Sequence, residues 1–229
     1  MFLTQFHHQG FQTLPNIYSP SEVTNILTTL KNSNISQQFG VREILLKQPA
    51  LQPLIFNQKL RALIRQIAPN CNKSIKSIYF DKPPHANWIV NWHQDLTINL
   101  QEKKEVVGYK NWRVKAERTV VQPNRELLEN IFTLRIHLDD CTVKNGALRV
   151  IERSHQNGVI PIKDWMQKKE GTERICEVPR GGVLLMRPLL LHASRRTENQ
   201  QSRRVIHIEC CDLELPNGLN WKEKVAVFM

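Results

Sequence analysis

Hydrophobic periodicity changes once along the 229-residue chain, and that change limits what the chain can fold into. Before about residue 70 the apolar residues recur at helical spacing. Val23, Ile26, Leu27 and Leu30 stand at i, i+3, i+4 and i+7, and Leu60, Leu63, Ile64 and Ile67 repeat the spacing. Ser19-Pro-Ser-Glu22 opens the first helix with a capping box and a proline at its first position; Asn57 caps the second, which Pro69 ends. Each helix carries one apolar stripe, so each lies on the outside of something larger.

From about residue 74 the period falls to two. Residues 77–80 form a short β-like run stopped by Asp81-Lys-Pro-Pro84, and Phe132, Leu134, Ile136 and Leu138 alternate with Thr133, Arg135, His137 and Asp139. Asn145-Gly146 turns the chain into 147–151, Gly181-Gly182 opens 183–186, 189–192 follows Pro188, and 204–210 alternates again. Short strands preceded by helices predict a mainly β fold with flanking helices, a β-sandwich or jelly roll. Residues 101–130, rich in charge and holding Pro123, read as a long insertion with a short helix near 126–131, suited to a lid or binding loop. No repeat or Gly/Ser linker interrupts the chain. The expectation is a single domain, 1–229, with a helical part at about 19–70 and a β core at about 74–212.

Composition excludes several classes. With 41% hydrophobic residues the chain can bury a core, so disorder is excluded. The longest apolar stretch, Gly181-Gly-Val-Leu-Leu-Met-Arg-Pro-Leu-Leu-Leu191, is broken by Arg187 and Pro188 and is shorter than a bilayer span. The first residues lack the features of a secretory signal, and five cysteines without a C-x-x-C pair argue against a disulfide framework. Cytoplasmic localisation is the expectation. The 32 Lys+Arg against 21 Asp+Glu give +11, which invites a nucleic-acid reading. The basic residues, however, occur as scattered pairs (Lys103-Lys104, Lys168-Lys169, Arg195-Arg196, Arg203-Arg204) rather than a stripe, so nucleic acid is not the expected partner.

Chemistry concentrates at two places. In Trp92-His93-Gln94-Asp95, residues i and i+2 of an extended segment project together, presenting an imidazole beside a carboxylate. These are two of the three ligands of a facial triad, although H-x-D alone is a weak signal. His192 ends the apolar run 189–191, and Ser194 shares its face. If the next alternating strand, opened by Ser202-Arg203-Arg204, forms a hairpin with it, an arginine lies across from His192 and can clamp a carboxylate.

Several stretches together are more specific: Tyr79-Phe-Asp-Lys-Pro-Pro84, Asn87-Trp88, Asn91-Trp-His-Gln-Asp-Leu-Thr97, Leu134-Arg-Ile-His-Leu-Asp-Asp-Cys141, Asn145-Gly-Ala-Leu-Arg-Val150, Ser154-His155 and Val183-Leu-Leu-Met-Arg-Pro-Leu-Leu-Leu-His-Ala-Ser194. In that order, over roughly 75–210, the chain resembles the phytanoyl-CoA dioxygenase family of Fe(II)- and 2-oxoglutarate-dependent oxygenases. The resemblance implies a double-stranded β-helix (a cupin-like jelly roll), with Fe(II), 2-oxoglutarate and O2 as cofactors. It implies that His93, Asp95 and His192 ligate iron. Arg203, eleven residues after His192, would bind the distal carboxylate of 2-oxoglutarate with support from Ser194. Arg153 stands where the family has glycine, and the loop 195–201 lacks a proline-asparagine pattern, so Arg203 is chosen over Arg204 by spacing alone. Asp95 is retained, which points to hydroxylation rather than halogenation.

The expected activity is therefore hydroxylation of a small, anionic metabolite with release of succinate and CO2. Lys82 is a candidate contact to the co-substrate or an acidic substrate. Trp88, Trp92 and Trp112 are candidate pocket walls or packed aromatics, and His155 a pocket residue or a turn-stabilising one. Arg135 and His137 point inward if Leu134, Ile136 and Leu138 pack beneath the helices, and into solvent otherwise. Two other readings compete: a repair-type dioxygenase on alkylated nucleic acid, and a non-catalytic jelly-roll binding protein. Sequence alone leaves the substrate and the oligomeric state open.

Overall fold

In the computed structural model, which describes residues 2–33, 35, 39–83, 88–115, 118–165, 171–199 and 201–228, the two periodicities become two layers. Pro84, Asn87 and the Lys168-Lys169 pair lie outside the described residues. The chain opens with α1 (Phe2–Gln9), β1 (Phe11–Leu14), α2 (Pro20–Lys31), β2 (Gly40–Arg42), α3 (Ile44–Lys47), α4 (Leu51–Ile55) and α5 (Gln58–Ile67). Both expected caps form. The Ser19 hydroxyl accepts from the Glu22 N–H while the Ser19 N–H donates to the Glu22 carboxylate at 2.7 Å, and Asn57 Oδ1 accepts from the Leu60 N–H at 2.8 Å. A cap of this kind is worth about 1 kcal/mol.

There follow β3 (Lys73–Lys82), β4 (Val90–His93), β5 (Ile98–Leu100), β6 (Lys110–Lys115), β7 (Arg118–Gln122), α6 (Arg125–Asn130), β8 (Phe132–His137), β9 (Leu148–Ile151), β10 (Glu173–Cys176), β11 (Val183–Met186), β12 (His192–Ser194), β13 (Arg203–Cys210) and β14 (Val225–Ala226). The major sheet runs β1-β11-β8-β13-β3-β14 with β2 also on β3; the minor sheet runs β10-β9-β12-β4. Leu184 and Met186 of the major sheet share a buried cluster with Leu148 and Val150 of the minor sheet, so the sheets face each other as a double-stranded β-helix.

On the other side of the major sheet, Leu134, Ile136 and Leu138 pack with Val23, Ile26, Leu30, Leu60 and Ile64 of the helices. Burying one such side chain is worth about 1.5–3 kcal/mol, and a one-residue slip would turn the whole set outward. This burial decides the alternative left open by the sequence: Arg135 and His137 point into the roll.

Three expectations are corrected. Residues 101–130 are not an open loop. With β5 they build a third sheet, β5-β7-β6, and α6, whose Ile98, Leu100, Tyr109, Val121 and Leu127 share a core with Trp221. A register shift between Lys110 and Arg113, with Asn111 at φ 58°, breaks the alternation that would have revealed β6. Residues 189–191 are buried but lie outside any strand, because β12 begins at His192. Finally, β12 and β13 are not a hairpin: β12 pairs with β4 and β9, and β13 with β3 and β8. Arg203 therefore meets the His192 side of the roll from the opposite sheet. Among the described residues no helix is long and apolar enough to cross a membrane.

Gly181 joins the helical layer to the major sheet. At φ +81° its N–H donates to the His137 carbonyl at 2.8 Å and its carbonyl accepts from Tyr18 at 2.9 Å, and a Cβ would fall on the Tyr18 carbonyl. Gly181→Ala is expected to lower stability by about 1–3 kcal/mol in urea unfolding, and an unchanged midpoint would contradict this account.

Candidate active site

The H-x-D segment leaves β4 beside the start of β12, and the strand register sets His93 directly against His192. Their rings lie 4.1 Å apart, centroid to centroid, tilted by 51°. Asp95 lies beneath them, 3.9 Å from His93 Nε2 and 3.7 Å from His192 Nε2. Each imidazole is oriented from behind: His93 Nδ1–H donates to the Asn91 carbonyl and His192 Nδ1–H to the Leu190 carbonyl, both at 2.8 Å. A carbonyl can only accept, so Nδ1 carries the proton and both Nε2 lone pairs turn toward Asp95. The three ligand atoms lie within 4.8 Å of one another. Two imidazole nitrogens and a carboxylate on one side of a point suit a non-haem iron and leave its other side open.

The residue between the two candidate ligands, His93 and Asp95, holds them in place. Gln94 turns away from the site, its amide donating to the Gly158 carbonyl at 2.8 Å and the Leu189 carbonyl at 2.6 Å, while its oxygen accepts from the Ile160 N–H at 2.8 Å. The Asp95 N–H donates to the Pro188 carbonyl at 2.9 Å. The H-x-D segment is thus laced to the segment that delivers His192.

Burial and neighbouring charge set the protonation states. Burial pushes the Asp95 carboxyl upward, but His192, His207, His93 and Lys76 outweigh it and hold the group well below the usual carboxylate range. Burial brings His192 down to about 4, with Asp95 opposing, so its nitrogen is free of a proton at neutral pH.

The triad opens on a cavity of about 270 Å³ between the sheets, walled in part by Phe80, Trp88, Val90 and Leu148. Arg203 and Ser194 line it, and Arg203 Nη1 donates to the Gly146 carbonyl. Gly146 itself, at φ +79°, has no room for a side chain, since a Cβ would come within 2.7 Å of the Arg195 carbonyl. Arg204 turns the other way, gripping Asp139 through Nε at 2.8 Å and Nη2 at 2.6 Å. Strand alternation, invisible in the bare pair of arginines, separates the two.

Other expected site residues scatter. Arg135 lines the cavity, its Nη1 donating to His207 Nδ1 at 3.2 Å; burial, with Arg203 nearby, brings its pKa down to about 10. Lys82 is fully buried and does not line the cavity. Its ammonium donates to the Trp88 carbonyl at 2.7 Å and the Arg195 carbonyl at 2.9 Å, with burial lowering its pKa to about 8. His137 is buried behind Arg135, outside the cavity lining, and neither ring nitrogen has a hydrogen-bond partner among the described residues. Trp92 sits on the outer face of the minor sheet beneath Arg149, 5.1 Å from its ring, and Trp112 stacks on Tyr109 in the third sheet. His155 packs under Gly10 and donates to the His7 carbonyl at 3.1 Å, also outside the cavity lining.

Of the charged and titratable wall residues, the sequence reading missed four: Arg42, Lys76, His207 and Glu209. Lys76 meets Glu209 at 2.7 Å, and His207 Nε2–H donates to Glu209 at 3.2 Å. Asp95, His207 and Glu209 form a second group close enough for a metal. Yet His207 uses one nitrogen to accept from Arg135 and the other to donate to Glu209, so no imidazole lone pair is free there. The His93, Asp95, His192 group is the one that fits. His207 and Glu209 share the parity of Arg203 along β13, and that was the available signal.

The sequence profile for phytanoyl-CoA dioxygenase (PhyH) matches residues 8–205. The chain belongs to the phytanoyl-CoA dioxygenase family. It is thereby an enzyme of the class of non-haem oxygenases that work with Fe(II), 2-oxoglutarate and O2. No curated protein matches it in sequence. Solved structures share its fold at low identity. HygX from Streptomyces hygroscopicus, with iron bound, superposes with a TM-score of 0.65 at 15% identity over 98% of this chain and 96% of its own. SnoK, an alpha-ketoglutarate-dependent carbocyclase of nogalamycin biosynthesis, gives 0.68 at 15% identity over 92% and 82%. The epimerase SnoN, in complex with Fe3+, alpha-ketoglutarate and nogalamycin RO, gives 0.69 at 12% identity over 94% and 89%.

Replacing Gln94 by Leu strands one buried N–H and two carbonyls, at about 1–3 kcal/mol for each group left unsatisfied. Gln94→Leu is therefore expected to destabilise the protein by several kcal/mol in denaturant unfolding, whereas Gln101→Leu, at an exposed position, is not. Equal midpoints for the two variants would refute the positioning role.

Proposed function

We propose that this enzyme hydroxylates a small anionic metabolite, with His93, Asp95 and His192 holding Fe(II), and Arg203 with Ser194 holding the distal carboxylate of 2-oxoglutarate. The observation that carries the reading is the convergence of the His93 and His192 Nε2 atoms and the Asp95 carboxylate at the wall of a cavity that Arg203 and Ser194 also line. Bound Fe(II) supplies the redox chemistry: substrate, O2 and 2-oxoglutarate give hydroxylated substrate, succinate and CO2, one oxygen atom entering each of the first two products. The protein's part is to fix geometry and exclude water. The guanidinium of Arg203, itself steadied by the Gly146 carbonyl, presents a fork to a carboxylate. The apolar walls from Phe80, Trp88, Val90 and Leu148 keep the reacting centre dry.

Charge supports an anionic substrate. Arg42, Lys76, Arg135 and Arg203 face the cavity against Asp95 and Glu209, an excess of two positive charges that a dication and a dianionic co-substrate together leave unchanged. On the outside, Arg125, Arg149, Arg174 and Arg204 are each paired with a carboxylate, which favours a small molecule over nucleic acid. The five cysteines are free and buried, in keeping with a reducing cytoplasm.

Anaerobic addition of Fe(II) and 2-oxoglutarate is expected to give a visible metal-to-ligand charge-transfer band that His93→Ala and Asp95→Ala abolish. Folded wild-type protein without the band at saturating ligand would overturn the reading. Arg203→Ala is expected to weaken 2-oxoglutarate binding at least tenfold more than Arg204→Ala, and equal effects would remove the assignment. With a substrate in hand, succinate formed alongside a product lacking a new oxygen would keep the 2-oxoglutarate chemistry and refute hydroxylation.

A further inference from the structure

The inner face of the major sheet carries one continuous cross-strand row. Arg42 of β2 is in register with Ile78 of β3, Ile78 with His207 of β13, and His207 with Arg135 of β8. At about 4.8 Å between strands, the Arg42 backbone lies about 10 Å from that of His207. Arg203 lies four residues along β13 from His207, about 13 Å at 3.3 Å per residue. Arg42 and Arg203 thus sit at different corners of the wall, with backbones on the order of 16 Å apart. A five-carbon diacid held at Arg203 leaves Arg42 to another ligand.

Of the cations facing the cavity, Arg42 is the one without a local partner. Lys76 is bound to Glu209 and to the Thr97 carbonyl, Arg135 to His207, and Arg203 to the Gly146 carbonyl. Among the described residues no hydrogen bond or ion pair engages the Arg42 guanidinium; the residue as a whole is exposed, and it lines the cavity. Partial desolvation and Arg118 lower its pKa, with Glu209, Asp95 and Glu43 opposing. Its backbone is nonetheless fixed. Glu43 is held at φ 57°, and the Glu43 N–H donates to the Ser77 carbonyl at 2.7 Å. A guanidinium that lines the cavity on a fixed backbone, with no hydrogen bond or ion pair among the described residues, is open to an oxyanion.

We propose that Arg42 is the substrate anchor: it takes a carboxylate or phosphate group of the substrate at the cavity rim, so that the attached carbon skeleton lies along the row toward His207 and Asp95. This rests on the function proposed above. It also sets a scale, because a cavity of about 270 Å³ shared with the co-substrate accepts a small body and leaves the anionic group at the mouth.

The test titrates protein loaded with Ni(II) and 2-oxoglutarate, so that the Arg203 end is filled, with phenyl phosphate and separately with benzoate, followed by calorimetry. At least one probe is expected to bind one-to-one, and the stronger of the two identifies the oxyanion. Arg42→Gln is expected to weaken that binding at least tenfold without changing the affinity for 2-oxoglutarate. Arg65→Gln, on α5 against Phe228, controls for general positive charge and is expected to change nothing. Binding by Arg42→Gln within twofold of wild type, an equal loss in Arg65→Gln, or no binding of either probe to wild type at millimolar concentration would overturn the proposal. Failure of 2-oxoglutarate to bind the Ni(II)-loaded wild type would refute the function proposed above instead. The same probes on protein without co-substrate would then still decide the fate of Arg42.

Discussion

One strand register holds the site together. Because β4 and β12 pair with His93 opposite His192, the two imidazoles meet, although the register shifts between His192 and Ser194, and the next inward residue, Asp95, completes the set. Displacing that pairing by one residue would send a histidine to the outer face of the minor sheet, where Trp92 and Arg149 lie. The register is secured by what lies between the ligands: Gln94 reaches back to the Leu189 carbonyl, and the Asp95 N–H to the Pro188 carbonyl. The same short segment therefore supplies two members of the candidate triad and positions the third.

The opposite wall answers a different problem. A roll interior carrying Lys76, Arg135 and Arg203 beside Asp95 and Glu209 is expensive to desolvate unless each charge finds a partner. The chain Arg135–His207–Glu209–Lys76 distributes the cost over three adjacent strands, β8, β13 and β3, while the Gly146 carbonyl steadies Arg203. Those polar contacts persist because the other face of the same strands is anchored by Leu134, Ile136 and Ile208 beneath the helices. The apolar layer fixes the sheet, and the sheet fixes the charges. Lys82 belongs to this scaffold: joined to the Trp88 and Arg195 carbonyls, it ties the approach to β4 to the segment after β12 and so braces both strands that carry ligands.

Much of this was legible one residue at a time. The caps at Ser19 and Asn57, the alternation of 132–138 and the H-x-D spacing are local signals, and local hydrogen bonding or periodicity is enough to produce them. The third sheet was not, because a bulge at Asn111 interrupts the alternation of β6 and its core partner, Trp221, lies about a hundred residues away. His155, Trp92 and Trp112 carry residue types that suggest a pocket, but side-chain type does not reveal which face of a strand or turn is inside.

The sequence by itself determined the kinds of element, the metal-ligating residue types at 93, 95 and 192 that make them candidates, and the parity that puts Arg203, His207 and Glu209 on one face of β13. Each follows from geometry that repeats within a few residues. Only the tertiary structure decided that β12 and β13 lie in opposing sheets rather than a hairpin, and that Arg203 rather than Arg204 faces the cavity. The tertiary structure alone also carried Arg42, from a three-residue strand near the N-terminus, into the wall of the same cavity. The physical reason is that strand pairing and sheet facing are long-range choices, settled by the burial of apolar faces from the whole chain at once, and no local spacing records them.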